Sequence, residues 1–320
     1  MSRWLRITLQ ILSFLLFAAL LWWAGPEPWQ QALRGDRRAL LLAMLAHGAA
    51  GMVSGARLRQ VAQGLMRRPI ASWRRFFYLN MGARALGLVL PRTLSAVGGK
   101  SAGLRALNVP MQHAIWIVLV DNLFDVLLLA VLAVPALLYF QGAISAALLF
   151  VLCAVFILLF GGVMAWLLAT HRLLPLLRQL ARIPWLARRV KLDQLQSLLP
   201  DAGTAVITLA WTVLLNLLLT LTYVLIARAL RITIPFALML AVFPIVQLSL
   251  IIAIAPGGLG IFDLGWLGLL VLGGQPQADA TTFTVAQRAY ITVFVLIWTA
   301  VSWALSFTER PKELDTDLHG

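Results

Sequence analysis

The chain has 320 residues, of which 61% are hydrophobic and 12% are charged. A water-soluble fold of this composition would have too little polar surface to cover itself, which excludes an ordinary soluble enzyme and favours a protein embedded in lipid. The formal charge of +14 would suit nucleic acid, but the basic residues stand beside apolar stretches, so we expect no nucleic-acid partner.

Apolar stretches that approach or reach the roughly 17–25 residues of a membrane-spanning helix recur along the chain. They cover residues 7–23, 39–53, 113–140, 143–169, 204–227 and 289–307. The first follows two arginines, as a signal peptide does, but it lacks a good cleavage site and further apolar stretches follow it, so we predict a retained anchor. The pattern predicts an all-α polytopic membrane protein with about six spanning helices in one transmembrane domain, residues 1–320.

Two basic stretches set the predicted topology. Residues 55–75 carry six arginines and no acid, and residues 171–202 carry a second cluster of arginine and lysine. Under the positive-inside rule both are predicted to be cytoplasmic loops of an inner (plasma) membrane protein. With the N-terminus inside, the same rule predicts a cytoplasmic C-terminus.

The stretch between the second and third spans, residues 76–112, is interrupted by charges and helix breakers. These are Arg84, Pro91, Arg92, Gly98, Gly99, Lys100, Gly103 and Arg105. A helix facing lipid would not tolerate them, and both basic stretches can share a side only if this segment makes no net crossing. We therefore predict a re-entrant hairpin from the cytoplasm, since irregular backbone at membrane depth needs protein or water around it. Pro91, Gly98 and Gly99 are its predicted gate residues.

A second interruption divides the apolar stretch at residues 235–273. Pro256 cannot continue a helix, and Gly257, Gly258 and Gly260 allow close approach of the backbone to a ligand. We predict a second re-entrant hairpin, entered from outside, with these four residues at its gate. Broken segments at corresponding places in two halves of inverted topology indicate a transporter site near the membrane midplane.

Charged residues near these breaks are the candidate headgroup-binding residues. Arg92, Lys100 and Arg105 could hold an anionic headgroup, because guanidinium and ammonium groups donate to phosphate oxygens. Alternatively they lie at the cytoplasmic interface as orientation signals, and Arg84 extends toward that interface. Asp263 either caps the half-helix that follows the second break or faces a hydrated cavity and pairs with Arg92 or Arg105.

Polar residues inside the predicted spans need partners. Asp121 and Asp125 lie four residues apart, on one helical face, and must meet cations, a watery cavity or protons. Pairing with arginines of the first hairpin is the structural alternative to a headgroup-binding role. We expect His47, Asn216 and Gln247 to make interhelical hydrogen bonds. Four scattered histidines and a single cysteine predict no metal site, and no cofactor is expected.

Three short motifs resemble one family. The run from Pro256 to Asp263 resembles a Pro-Gly-Gly-Leu-Gly signature that usually ends in Glu. Residues 90–105 resemble an earlier element in which a proline, a glycine and an arginine follow one another at intervals, with Arg105 in the place of the arginine. The run from Asp121 to Asp125 is similar to a Glu-Arg-x-x-Asp pattern, with Asn122 in place of the arginine. These motifs resemble the flippase-like membrane proteins related to the transmembrane domain of lysylphosphatidylglycerol synthase.

The resemblance implies a role in lipid translocation. In the fused synthase one domain makes an aminoacylated phospholipid and the transmembrane domain moves it, and stand-alone members are associated with hopanoid and lipid-linked sugar pathways. The chain ends soon after its last span, so we expect no aminoacyl-transferase domain and no synthesis of the lipid.

We therefore predict a flippase-like transporter of an amphiphilic lipid or lipid-linked headgroup, and not an enzyme. Its expected partner is a membrane lipid, anionic or lipid-linked, and a lipid-synthesis enzyme is a second candidate partner. No Walker A motif appears, so ATP is not expected to drive movement. One alternative is an intramembrane lipid-modifying enzyme that uses Asp121, Asp125 or Asp263 as acid or base. The other is a non-transporting membrane partner of a lipid-synthesis complex.

Overall fold

The computed structural model describes residues 22, 25–90, 94–170, 200–252 and 259–308, and these residues form helices and short connections without strands. The helices are α1 (Glu27–Leu33), α2 (Arg37–Met66), α3 (Trp73–Val89), a π-helix (Leu94–Gly99), α4 (Lys100–Ala106), α5 (Met111–Phe140), α6 (Ala146–Ala169), α7 (Ala202–Ala229), α8 (Phe236–Ile252), α9 (Ile261–Leu272) and α10 (Gln277–Phe307).

Within these described ranges, five helices are long and apolar enough to cross a bilayer: α2, α5, α6, α7 and α10. Each corresponds to one of the predicted spans, although α6 starts three residues after the start of its predicted span. The predicted first span, residues 7–23, lies outside the described residues except for residue 22, and most of the second basic stretch and the C-terminal tail also lie outside them. The prediction of an all-α polytopic membrane protein is confirmed.

The predicted loop at residues 55–75 was wrong in its first half. Helix α2 is capped at its start by Asp36, whose carboxylate accepts hydrogen bonds from the backbone N–H groups of Arg38 and Ala39, and it runs for 30 residues. It ends at Arg67, where φ is 51°. The helix persists because Arg57, which the sequence pattern places in a loop, is buried and paired with carboxylates inside the bundle.

Several connections meet at one end of the bundle, which we call the basic end because residues 67–75 lie there. Nη2 of Arg68 donates to the carbonyl of Asn108 at 3.5 Å, and Nη1 of Arg74 donates to Oγ1 of Thr308 at 3.0 Å. Gly64 packs so closely on Thr204 that an added Cβ would lie 2.7 Å from Cγ2 of that threonine. The start of α5, the start of α7 and the end of α10 therefore share the basic end.

The first broken segment leaves the basic end at α3 and returns to it at Asn108. Its two arms pack tightly, because a Cβ added at Gly103 would lie 2.6 Å from Cγ of Leu79, and one at Gly99 would lie 3.3 Å from Cδ1 of Leu86. Gly99 and Gly103 have the small-x-x-x-small spacing that lets helices approach closely. The path is that of a hairpin, and its re-entrant position in the membrane stays a prediction.

The second broken segment opens at the opposite end. Helix α7 starts at the basic end and finishes at the far end, from which α8 departs. Helix α9 returns to that end, since a Cβ added at Gly273 would lie 2.2 Å from Cδ1 of Leu238 at the start of α8. The two segments thus open at opposite ends of the bundle, and Pro256, Gly257 and Gly258 lie outside the described residues.

Aromatic side chains fill the core beside the second segment. The ring of Tyr223 on α7 lies 4.7 Å from that of Trp266 on α9, and the latter lies 5.3 Å from Phe283 on α10, between centroids. Trp266 and Phe283 are fully buried. Large buried rings in mutual contact fix the relative positions of these helices, and with them the adjoining cavity.

Candidate functional site

A cavity of about 470 Å³ lies inside the helix bundle, where residues of both broken segments meet the spanning helices. Its volume is in the range of roughly 300–1,000 Å³ typical of small-molecule sites. Its polar lining consists of His47, Ser54, Asn80, Arg84, Ser95, Lys100, Asn122, Asp125, Asn216, Tyr223, Gln247, Gln287, Arg288 and Thr292. Polar and ionisable side chains are costly at membrane depth, so their concentration here marks this cavity as the candidate site.

Arg57 is the centre of the first charged cluster beside the cavity. Its Nε donates to Oδ1 of Asp121 at 2.8 Å, and Nη1 and Nη2 donate to the two oxygens of Asp125 at 2.5 and 2.7 Å. Nη1 also donates to Oγ1 of Thr212 at 3.1 Å. The fully buried guanidinium on α2 therefore holds both carboxylates of one α5 face, the second of them through a bidentate pair.

Lys100 completes this cluster from the first residue of α4. Its Nζ donates to Oδ2 of Asp121 at 2.9 Å, so the two oxygens of this buried carboxylate are held by different cations. Two cations and two carboxylates balance in formal charge. The structure thus brings together three of the predicted site residues, Lys100, Asp121 and Asp125. Of the cations expected from the first hairpin, the lysine takes part, and the guanidinium comes from Arg57 instead.

Asp263 forms a second charged pair on the other side of the cavity. Its two oxygens accept from Nε and Nη2 of Arg288 on α10, each at 2.8 Å, and Oδ2 also accepts from the backbone N–H of Gly260 at 3.1 Å. The guanidinium carbon of Arg288 lies 5.9 Å from the ring centroid of Phe262. Asp263 is therefore both a helix cap, as the first alternative predicted, and one half of an ion pair, but its partner is Arg288 and its side chain is fully buried.

The expected partners of Asp263 were wrong where the structure describes them. Arg105 is exposed in the last turn of α4, one turn before Asn108 and therefore at the basic end, and it does not line the cavity. Arg92 lies outside the described residues. Arg288 is the ion-pair partner of Asp263 because α9 and α10 pack directly on each other.

The predicted gate residues fall in three groups. Gly260 precedes α9 with φ at 83°, a left-handed conformation that favours glycine. Gly99 packs on α3, whereas Gly98 is exposed, with no atom within 4 Å of an added Cβ. Pro91, Pro256, Gly257 and Gly258 lie outside the described residues.

Sequence reasoning missed two residues that hold the site together, Arg57 and Arg288. A signal for the first exists, because His47, Ser54 and Arg57 are spaced seven and three residues apart and share one helical face. That polar face indicates a helix that continues past the end of the apolar stretch. Arg288 immediately precedes the predicted last span, and only the longer helix observed here brings it inside.

Asn122 has a bearing on the family pattern, in which an arginine stands at this position. Asn122 lines the cavity and carries no charge. In this structure the guanidinium that reaches both Asp121 and Asp125 comes from Arg57 on a different helix. The carboxylates of the motif are therefore neutralised without an arginine inside the motif itself.

Spanning helices around a cavity with charged walls define a multi-pass membrane protein. A family model described as Lysylphosphatidylglycerol synthase TM region matches residues 10–299. The chain belongs to this family, which confirms the predicted relation and makes it a membrane protein of a flippase-like, lipid-modification family. No curated protein matches the chain.

No metal-binding group is evident among the residues that the structure describes, since no three His, Cys, Asp or Glu side chains there are grouped as ligands would be. That the protein works without a metal or a cofactor stays a prediction.

Proposed function

We propose that this protein is a flippase-like transporter that moves the polar headgroup of an amphiphilic lipid across a bacterial-type inner membrane. The observation that carries the proposal is the charged cavity between the two broken segments. Lys100 lines it from the first segment and Phe262 from the second. Transporters of inverted topology bind substrate near the midplane, between discontinuous helices of this kind.

The charges around the cavity favour an anionic group on the lipid. The cationic side chains are Arg57, Arg84, Lys100 and Arg288, and the carboxylates are Asp121, Asp125 and Asp263. Four positive charges against three negative charges leave a surplus of one positive charge. A phosphate in the headgroup would balance that charge and accept hydrogen bonds from guanidinium and ammonium donors.

The two ion-pair networks offer a means of alternating access. The contact between Lys100 and Asp121 connects the first broken segment to α5, and the contact between Asp263 and Arg288 connects the second segment to α10. A phosphate in the cavity competes with these carboxylates for the same donors. Weakening one contact at a time would let each segment open toward its own end of the bundle.

The state of the carboxylates favours transport over lipid chemistry. Asp121, Asp125 and Asp263 are each engaged in an ion pair with an arginine. A general acid or base needs a carboxyl group that is available for proton transfer. We therefore propose a non-enzymatic protein that moves lipid by mass action or with an ion gradient, alone or beside a lipid-synthesis enzyme.

Reconstitution tests this proposal. Sealed vesicles that contain the protein and a headgroup-labelled anionic phospholipid should show transbilayer movement above protein-free vesicles. Lys100→Gln, which removes a cation from the cavity wall, should slow it at least about tenfold, the scale of one charge-assisted hydrogen bond. Arg38→Gln removes an exposed cation at the start of α2 and serves as the matched control.

Two results would overturn the proposal. One is movement no faster than in protein-free vesicles, with protein shown by light scattering and thermal unfolding to be folded. The other is conversion of the lipid to a new product in detergent, where no sidedness exists, because that result would assign the cavity to an enzyme.

A further inference from the structure

His47 is a buried polar side chain of the cavity wall to which the described part of the chain offers no hydrogen bond. It is 3% exposed, and neither ring nitrogen has a hydrogen-bond partner among the described residues. Its ring is placed by contact with Phe294, at 6.1 Å between centroids. Buried polar groups are almost always hydrogen-bonded, so an unpartnered histidine on a cavity wall points to a bond made with a ligand.

Two carboxamides of the same wall present acceptors. Nδ2 of Asn216 donates to the carbonyl of Thr212 at 2.8 Å, and Nε2 of Gln287 donates to the carbonyl of Thr284 at 3.2 Å. Each amide group is thus oriented by its own helix, which leaves its oxygen as an acceptor on a residue that lines the cavity. The wall therefore combines the ion-paired residues Lys100, Asp125 and Arg288 with neutral hydrogen-bonding groups.

We infer that the headgroup accepted by this cavity is a phosphate that carries a hydroxyl-rich, amine-free group, such as a polyol or a sugar, with His47 as a hydroxyl contact. This inference rests on the transport function proposed above. A neutral imidazole has one donor nitrogen and one acceptor nitrogen. Hydroxyl groups both donate and accept, so they satisfy both ring nitrogens, whereas an ionised phosphate only accepts and an ammonium group only donates.

An ammonium-bearing headgroup suits the cavity less well. The lining contains the cations Arg84, Lys100 and Arg288 and a single carboxylate, that of Asp125. That carboxylate is already held by both terminal nitrogens of Arg57. An incoming ammonium group would meet a positive surplus and would have to take a carboxylate from a buried guanidinium, which is strongly unfavourable.

The test compares lipids that differ only in the headgroup. Phosphatidylinositol supplies a phosphate and a polyol, phosphatidic acid supplies the phosphate alone, and phosphatidylethanolamine supplies a phosphate and an ammonium group. With matched acyl chains in sealed vesicles, the full-length protein should move phosphatidylinositol at least about tenfold faster than the other two, the scale of one or two hydrogen bonds.

The variants assign that preference to His47. His47→Phe should slow the transbilayer movement of phosphatidylinositol about tenfold, to the rate measured for phosphatidic acid. The rate for phosphatidic acid itself should not change. His47→Gln, which keeps a donor and an acceptor, should retain most of the preference. His113→Phe changes another histidine of a spanning helix, outside the cavity, and should match the unmodified protein.

The outcomes separate this inference from the proposed function. Absence of movement for all three lipids would overturn the transport function itself. Movement of phosphatidic acid or phosphatidylethanolamine as fast as phosphatidylinositol would leave transport intact and overturn the inference. If His47→Phe slowed the movement of all three lipids equally, the role of His47 would be structural, and the inference would also be overturned. If that variant does not fold, the headgroup preference of the unmodified protein and of His47→Gln decides.

Discussion

The guanidinium of Arg57 and the carboxylate of Asp125 are joined by two parallel hydrogen bonds, 2.5 and 2.7 Å long, between helices α2 and α5. Because the same guanidinium also holds Asp121, one side chain fixes the spacing of two spanning helices and the position of the α5 carboxylates. The pair borders the cavity through Asp125, so its integrity bears on both stability and the proposed transport function.

Removal of this guanidinium should destabilise the protein strongly. Arg57→Leu leaves two carboxylates without their main partner, and breaking a buried ion pair by loss of one member costs about 3–5 kcal/mol. Arg57→Lys keeps the charge but loses the bidentate geometry, so its loss of stability should lie between those of the unmodified protein and Arg57→Leu. Thermal unfolding in detergent measures both effects. An Arg57→Leu midpoint equal to that of the exposed control Arg37→Leu would contradict the assignment.

The Asp263 and Arg288 pair should show energetic coupling. Asp263→Ala removes the carboxylate partner of a partly buried guanidinium, whereas the double variant with Arg288→Met removes the guanidinium charge as well. We expect the double variant to be more stable than Asp263→Ala, with a coupling energy of about 1–3 kcal/mol in a double-mutant cycle measured by thermal unfolding. If the stability changes of the two single variants simply added in the double variant, the interaction between Asp263 and Arg288 would contribute nothing to stability.

Gly55 and Gly82 should respond differently to substitution by alanine. A Cβ added at Gly55 would lie 2.9 Å from the backbone Cα of Phe77, so Gly55→Ala must push α3 away from α2. Overpacking of this kind costs about 1–3 kcal/mol. Gly82 has no atom within 4 Å of an added Cβ and lies inside a helix, so Gly82→Ala should be neutral or stabilising by up to about 1 kcal/mol. Unfolding midpoints that move in the same direction would refute this.

The orientation of the bundle can be tested with single cysteines in a Cys153→Ser background. The 30-residue helix α5 is about 45 Å long, starts near Asn108 beside Arg68, and ends at Gln141. We expect a membrane-impermeant maleimide to label Gln141→Cys in intact cells and Arg68→Cys only after permeabilisation. The reverse labelling pattern would place the basic end outside the cytoplasm.

Much of the architecture could be predicted from local properties of the chain. Spans follow from the length of apolar stretches, and breaks follow from proline, glycine and charge within them. The error at Arg57 has a physical cause. An arginine next to an apolar stretch indicates a membrane boundary only if no carboxylate inside the bundle neutralises it, and sequence spacing does not show whether one does.

By itself the sequence determined an all-α membrane protein, its family, and the positions of its two broken segments, because hydrophobic length and helix breaking act along neighbouring residues. Only the tertiary structure decided which charges meet. Arg57 pairs with a carboxylate 64 residues away, Asp263 pairs with Arg288 across two helices, and His47 remains without a partner among the described residues. These relationships depend on helix packing, since an ion pair at membrane depth forms wherever packed helices bring opposite charges within a few ångströms.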